Sequence, residues 1–253
     1  MSRLALVWDG TWLTWTAFNG PSDVGRREIS RADMVPEVLR ALRNQVGAGA
    51  DVIHAEWGVP ATAMPSSLLS EPARAEVVQP WFTLHHGFLP SGHRLQVDVL
   101  ADVADEPCLA VATSGTWHAA VSSLFPQARH VSVVQALLHD AIQWNRSEPS
   151  PHWTFRVDAR AEGAVLVAAS GEALQWVHHL PKGSTSEDLL YAMVNAVHRS
   201  GGDVNASRVM WSGTSDLTAG WDRFLAVHSA ENRVQEDKLL SWRPLLESMN
   251  ACG

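Results

Sequence analysis

Twelve histidines in a chain of 253 residues are the first side chains to weigh for chemistry, because imidazole is a common zinc ligand. Two adjacent pairs stand out, His85-His86 and His178-His179. On a strand, His178 and His179 point to opposite faces, and His85-His86 has no cysteine at ligand spacing, so no metal is expected. Ser212-Gly213-Thr214 is the next candidate. It follows a strand-like run and opens a helix-like one, where backbone N–H groups could hold an anion. The preferred reading is a plain cap supplied by Thr214, Ser215 or Asp216. The signatures Gly-x-x-x-x-Gly-Lys and Gly-x-Ser-x-Gly are absent, and Gly47-Ala48-Gly49 lacks the third glycine of a dinucleotide fingerprint.

Composition narrows the function classes further. A net charge of −8 with no basic run argues against general binding to nucleic-acid phosphates, which needs clustered Lys and Arg. Hydrophobic residues at 46% and charged residues at 18% describe a chain that buries a core. The opening Leu4-Ala5-Leu6-Val7-Trp8 is broken by Asp9-Gly10, which is too short for a secretory leader, and no apolar run approaches the ~20 residues of a membrane span. Cys108 and Cys252 read as free thiols, and the expected location is the cytoplasm. Twelve tryptophans against one tyrosine raise the idea of a platform for sugars or bases, but the favoured role for these rings is packing.

The elements that must position any site follow from pattern. Leu4–Trp8, Asp9-Gly10 and Thr11–Phe18 read as a β-hairpin, with Gly supplying the positive φ of a tight turn. A third strand near Val24–Ile29 follows, then a helix from Ala32 to Val46 with Met34, Val38, Leu42 and Val46 on one face and Gly47 to end it, then a buried strand at Asp51–Trp57. Five prolines break the stretch from Val59 to about Glu106, which reads as an insertion holding a short helix at Glu71–Val78 and a strand at Leu95–Leu100. Regularity returns with a strand at Leu109–Thr113, Ser114-Gly115-Thr116, a helix to Leu124, a strand at Arg129–Val133 and a helix at Val134–Trp144. Glu148–Pro151 is the expected boundary between a first half, 1–148, and a second, 149–253.

Beyond it the opening order repeats. Thr154–Asp158, Ala164–Ala169 and Ala173–Leu180 read as strands, Ser186 to His198 as a helix capped by Ser184 or Ser186, Arg208–Trp211 as a strand and Leu217–Phe224 as a helix. Both halves carry a strand–Ser-Gly-Thr–helix step. Three antiparallel strands followed by alternating helices and strands is the order of a ribonuclease H-like domain, and two in tandem make the actin-like fold. The fold class is therefore α/β, two ribonuclease H-like halves with an insertion at about 59–106 in the first.

Over nearly its whole length the chain resembles an uncharacterised bacterial family, a domain of unknown function placed in the actin-like ATPase superfamily. The segments that carry the resemblance are Met64-Pro65-Ser66-Ser67-Leu68-Leu69, Leu124-Phe125-Pro126, Ser186-Glu187-Asp188-Leu189-Leu190-Tyr191 and Met210-Trp211-Ser212-Gly213. The resemblance implies a fold and no activity. It also implies where a nucleotide would sit: between two glycine-containing hairpin turns, one per half, with acids near the metal, because only glycine lets backbone N–H groups approach phosphate closely. Asp9-Gly10-Thr11 resembles the first turn but is one residue short, and a plain hairpin turn is the competing and preferred reading. The second is Asp158-Ala159-Arg160-Ala161-Glu162-Gly163, where bulky residues stand beside the acid and Glu162 would repel phosphate. Ser212-Gly213-Thr214 falls where the superfamily sets a Gly-Gly turn against the adenosine.

The nucleotide-site candidates are thus Asp9, Gly10, Thr11, Asp158, Ser212, Gly213 and Thr214. No catalytic residue and no cofactor are expected, with ATP and magnesium the alternative. The leading expectation is a catalytically degenerate pseudo-ATPase, a scaffold that binds a protein partner or itself, with no membrane or general nucleic-acid partner. The alternatives are a nucleotide-binding ATPase or small-molecule kinase, and a tryptophan-based small-ligand module.

Overall fold

The computed structural model describes residues 3–18, 24–47, 49–69, 74–100, 103–149, 152–213, 220–223, 225–229 and 242–252. β1 (Arg3–Trp8) and β2 (Trp12–Ala17) form the predicted hairpin, followed by β3 (Val24–Glu28), α1 (Val35–Val46) and β4 (Asp51–Glu56). β1 is buried on both faces, Leu4, Leu6 and Trp8 to one side and Ala5 and Val7 to the other, which is why it reads as a continuous apolar run. It lies at the centre of a sheet ordered β3-β2-β1-β4-β8, antiparallel through β1–β3 and parallel from β1 to β4 and to β8 (Arg129–His130).

The second half repeats this order. β9 (Thr154–Arg160), β10 (Gly163–Ser170), β11 (Ala173–Pro181), α5 (Ser186–Arg199), β12 (Arg208–Gly213) and β13 (Ala226–Ser229) give a sheet ordered β11-β10-β9-β12-β13. Two sheets with the same order and the same antiparallel-then-parallel pairing are the duplicated ribonuclease H-like arrangement, and the fold is actin-like. Between the sheets lies a shared core. Ala5, Val7 and Ile53 of the first and Val165, Val167 and Ala169 of the second pack with α4 (Val133–Ser147) and α6 (Arg243–Cys252), whose Leu245, Leu246 and Met249 are fully buried. Burying such a surface supplies most of the stability of a domain. Among the described residues no helix is long and apolar enough to cross a membrane.

The proline-rich stretch is ordered. β5 (Ala61–Met64), α2 (Arg74–His86), β6 (His93–Val99) and β7 (Cys108–Ser114) make a small sheet ordered β5-β7-β6, with α2 packed on its own apolar cluster of Met64, Phe82, Cys108 and Ala110. α2 runs through Pro80 to His86, past the end of the short helix expected at Glu71–Val78, of which 71–73 lie outside the described residues, and its added turns carry the fully buried Phe82. Membership of β7 in this sheet separates the two Ser-Gly-Thr steps. Ser114 ends β7 and caps α3 (Gly115–Leu124) by accepting the Trp117 N–H, while Ser212-Gly213 end β12 beside β9; the partner of β12 in the first sheet is β4. A strand–turn–helix pattern is local, and which sheet the strand joins is not.

Smaller differences follow the same logic. β8 is only two residues long, since Ser132 forms a capping box with Gln135 and starts α4 early. Thr185, not Ser184 or Ser186, caps α5, with Asp188 closing the box. Of the helix read at Leu217–Phe224, half lies outside the described residues, and Trp221–Arg223 form a single 3-10 turn.

Candidate functional site: the space between the two hairpins

In the first half the strands end at Trp8 and Trp12, leaving Asp9, Gly10 and Thr11 as the turn. Gly10 has φ +92°, so a side chain there would be strained. The Asp9 carboxylate accepts the N–H groups of Thr11 at 2.9 Å and Trp12 at 2.6 Å, and its other oxygen lies 3.3 Å from the Arg26 guanidinium of β3. Its side chain is 1% exposed. Asp9 is thus an Asx-type turn acid tied to its own loop.

The second hairpin differs. Asp158 is not in the turn but inside β9, opposite Val165 in the register, and the strands continue to the Arg160–Gly163 pair so that Ala161 and Glu162 alone make the turn. Asp158 is fully buried. Arg160 donates to both its oxygens, at 2.5 and 2.8 Å, Trp57 donates its indole N–H at 2.7 Å, and Ser212 its hydroxyl at 2.7 Å. Ser212 in turn accepts from Arg156 at 2.9 Å. A carboxylate with this many donors is a structural hub: its charge is balanced and its lone pairs are taken. Gly213 has φ +104°, and a Cβ there would run into the Ala159 carbonyl, so this glycine serves the close approach of β12 to β9.

A further side chain enters from a third direction. Trp242, just ahead of α6 and 2% exposed, lies under the Arg160 guanidinium at 3.4 Å and meets Trp57 edge-on at 6.4 Å. Arg26 stacks over Trp12 at 4.6 Å and also lies over the Trp242 ring at 5.6 Å. Two cation–π contacts in a water-poor setting hold this indole between the halves. Of the sequence candidates, the structure joins Asp158 and Ser212 in one network, with Gly213 adjoining; it leaves Asp9 and Gly10 in a separate turn and Thr11 exposed, and Thr214 lies outside the described residues.

Sequence reasoning missed Arg160, Trp57, Arg26 and Trp242 as parts of this site. Arg160 carried a signal, since two residues beyond Asp158 it shares the same strand face. Trp242 carried none. Glu56, at the end of β4, was also missed. Burial raises its carboxyl to about 7 against the opposing effect of the Ser114 N–H that it accepts at 2.7 Å. None of the twelve tryptophans is exposed, in keeping with packing as their main role.

No protein-family model matches the chain, and no curated protein sequence matches it. Solved structures do. A Bacteroides thetaiotaomicron protein of actin-like ATPase fold and unknown function superposes with a TM-score of 0.70 at 12% identity, over 97% of this chain and 95% of that one. The PilM–PilN type IV pilus biogenesis complex matches at 0.55 and 15%, over 99% and 97%. AlfA, from a Bacillus subtilis plasmid and solved as a filament, matches at 0.50 and 9%, over 99% and 98%. At such identities the likeness is one of fold.

Proposed function

We propose that this chain is a pseudo-ATPase of the actin-like fold, a scaffold that works through protein contacts and turns over no nucleotide. The observation that carries this reading is the engagement of the second acid: Asp158 is saturated by Arg160, Trp57 and Ser212, and Trp242 packs against the Arg160 guanidinium. A phosphate entering there has to displace an ion pair and an indole, each in contact with both halves or with the core. Contact rather than catalysis is also supported by exposed apolar side chains, Leu84 and Phe88 at the end of the insertion helix at 79% and 71% and Tyr191 on α5 at 71%. Two of the structural neighbours are themselves an assembly and a filament.

The runner-up, a nucleotide-binding ATPase or small-molecule kinase, draws on Glu56, a carboxyl that exchanges its proton near neutrality at the end of a parallel strand. Thermal unfolding with and without ATP and magnesium separates the two. A ligand at about 100 times its Kd stabilises by about 2.7 kcal/mol, and in a chain of this size each kcal/mol moves Tm by about 2–4 °C. The expected shift is zero within error, together with a mass by light scattering that rises with protein concentration. A rise of several degrees, lost in Glu56→Gln, would establish the ATPase reading instead.

A further inference from the structure

Three histidines that play no part between the hairpins meet on the outer face of the first sheet. His54 of β4 is 1% exposed, and His118 of α3 and His130 of β8 are half-buried. His54 and His130 stand opposite each other in the parallel register, with ring centroids 5.3 Å apart, and His118 lies 5.8 Å from His54. Nδ1 of all three, and Nε2 of His130, are buried without a hydrogen-bond partner. Among the described residues no group of three His, Cys, Asp or Glu side chains is placed to hold a metal ion; each neutral imidazole has one ring nitrogen able to take a proton.

The element beside them is short, although Arg129 also lies 3.4 Å from Asp51 of β4 and Val131 is buried in the shared core. β8 contributes two register pairs to β4, Ile53 with Arg129 and His54 with His130, reinforced by the Val131 N–H donating to the His54 carbonyl at 3.0 Å. It leads at once into α4, which packs on β9, β10 and α6 and so joins the first sheet to the second half. We propose that β8 and the chain entering α4 form a proton-operated latch, closed on β4 while the three imidazoles are neutral and released when they are protonated.

Like charges directly opposite one another on neighbouring strands repel. In the closed form burial first, then His130 and His118, hold His54 down at about 3. Burial likewise holds His130 at about 4, with Asp98 of β6 opposing and His118 and Arg94 of β6 assisting. Burial first, and then Arg94, lower His118 as well. Glu56, two residues along β4, is mostly protonated below its value of about 7 and so offers little counter-charge in the window that matters. A released imidazole titrates near ~6.5. The released form therefore binds more protons than the closed one as pH falls from about 6.5 towards about 4, and the closed form loses its advantage over that range.

Hydrogen exchange of the amides at 129–132, corrected for the intrinsic rate, tests this at about pH 7.5 and about pH 5. From His130 alone the opening constant should rise about thirtyfold, while β1 and β9 keep their protection. His130→Asn should remove that factor, and His118→Asn should lessen it. Protection that is the same at both pH values, that falls equally in His130→Asn, or that is lost only together with β1 and β9 would overturn the latch.

Discussion

The two hairpins occupy matching places in matching sheets, yet their acids do opposite things. Asp9 sits one residue past the end of β1, where its carboxylate folds back on its own turn and meets one arginine. Asp158 sits two residues short of the end of β9, where it faces the other half and gathers donors from Trp57, Arg160 and Ser212. The difference is one of strand length around the turn. Extending β9 and β10 to a two-residue turn pulls the acid out of the loop and into the packed interior, and an acid in that place serves the interface between halves rather than a ligand.

Substitutions can break that contrast, and the largest effect belongs to Asp158→Ala. Removing one partner of a buried pair leaves Arg160 uncompensated, while Arg156 keeps its pairing with Asp140, so urea unfolding should show a loss of about 3–5 kcal/mol. Gly213→Ala comes next, at about 1–3 kcal/mol, because φ +104° and the Ala159 carbonyl both oppose a side chain. Asp9→Ala should cost only about 1 kcal/mol, the scale of a lost cap, measured the same way. A loss in Asp9→Ala equal to that in Asp158→Ala would mean that the first hairpin also anchors the interface, and the asymmetry would have to be abandoned.

Much of this molecule was legible beforehand because its signals are short in range. Asp9-Gly10 between Val7-Trp8 and Trp12-Leu13 specifies a tight hairpin by turn chemistry alone, and the four-residue spacing of Met34, Val38 and Leu42 specifies a helix face; α1 buries Val35, Val38, Leu39 and Leu42. The repeated strand order gave the actin-like fold, with the same strand order in both sheets. The equivalence drawn between the two Ser-Gly-Thr steps did not survive, because β7 pairs with β5 and β6 and only tertiary contact chooses a strand's partner.

What the sequence determined by itself is what neighbours along the chain can decide: the hairpins, most helix positions, the order of elements and so the fold. Tertiary structure alone decided the site. Trp57, Asp158 and Trp242 are separated by about a hundred residues or by most of the second half, and neither periodicity nor turn chemistry marks them as partners. The same holds for His54, His118 and His130, drawn from three elements. Each is an ordinary residue in its own segment, and the energy that makes it functional or structural comes from burial beside a distant group, which exists only once the halves have packed.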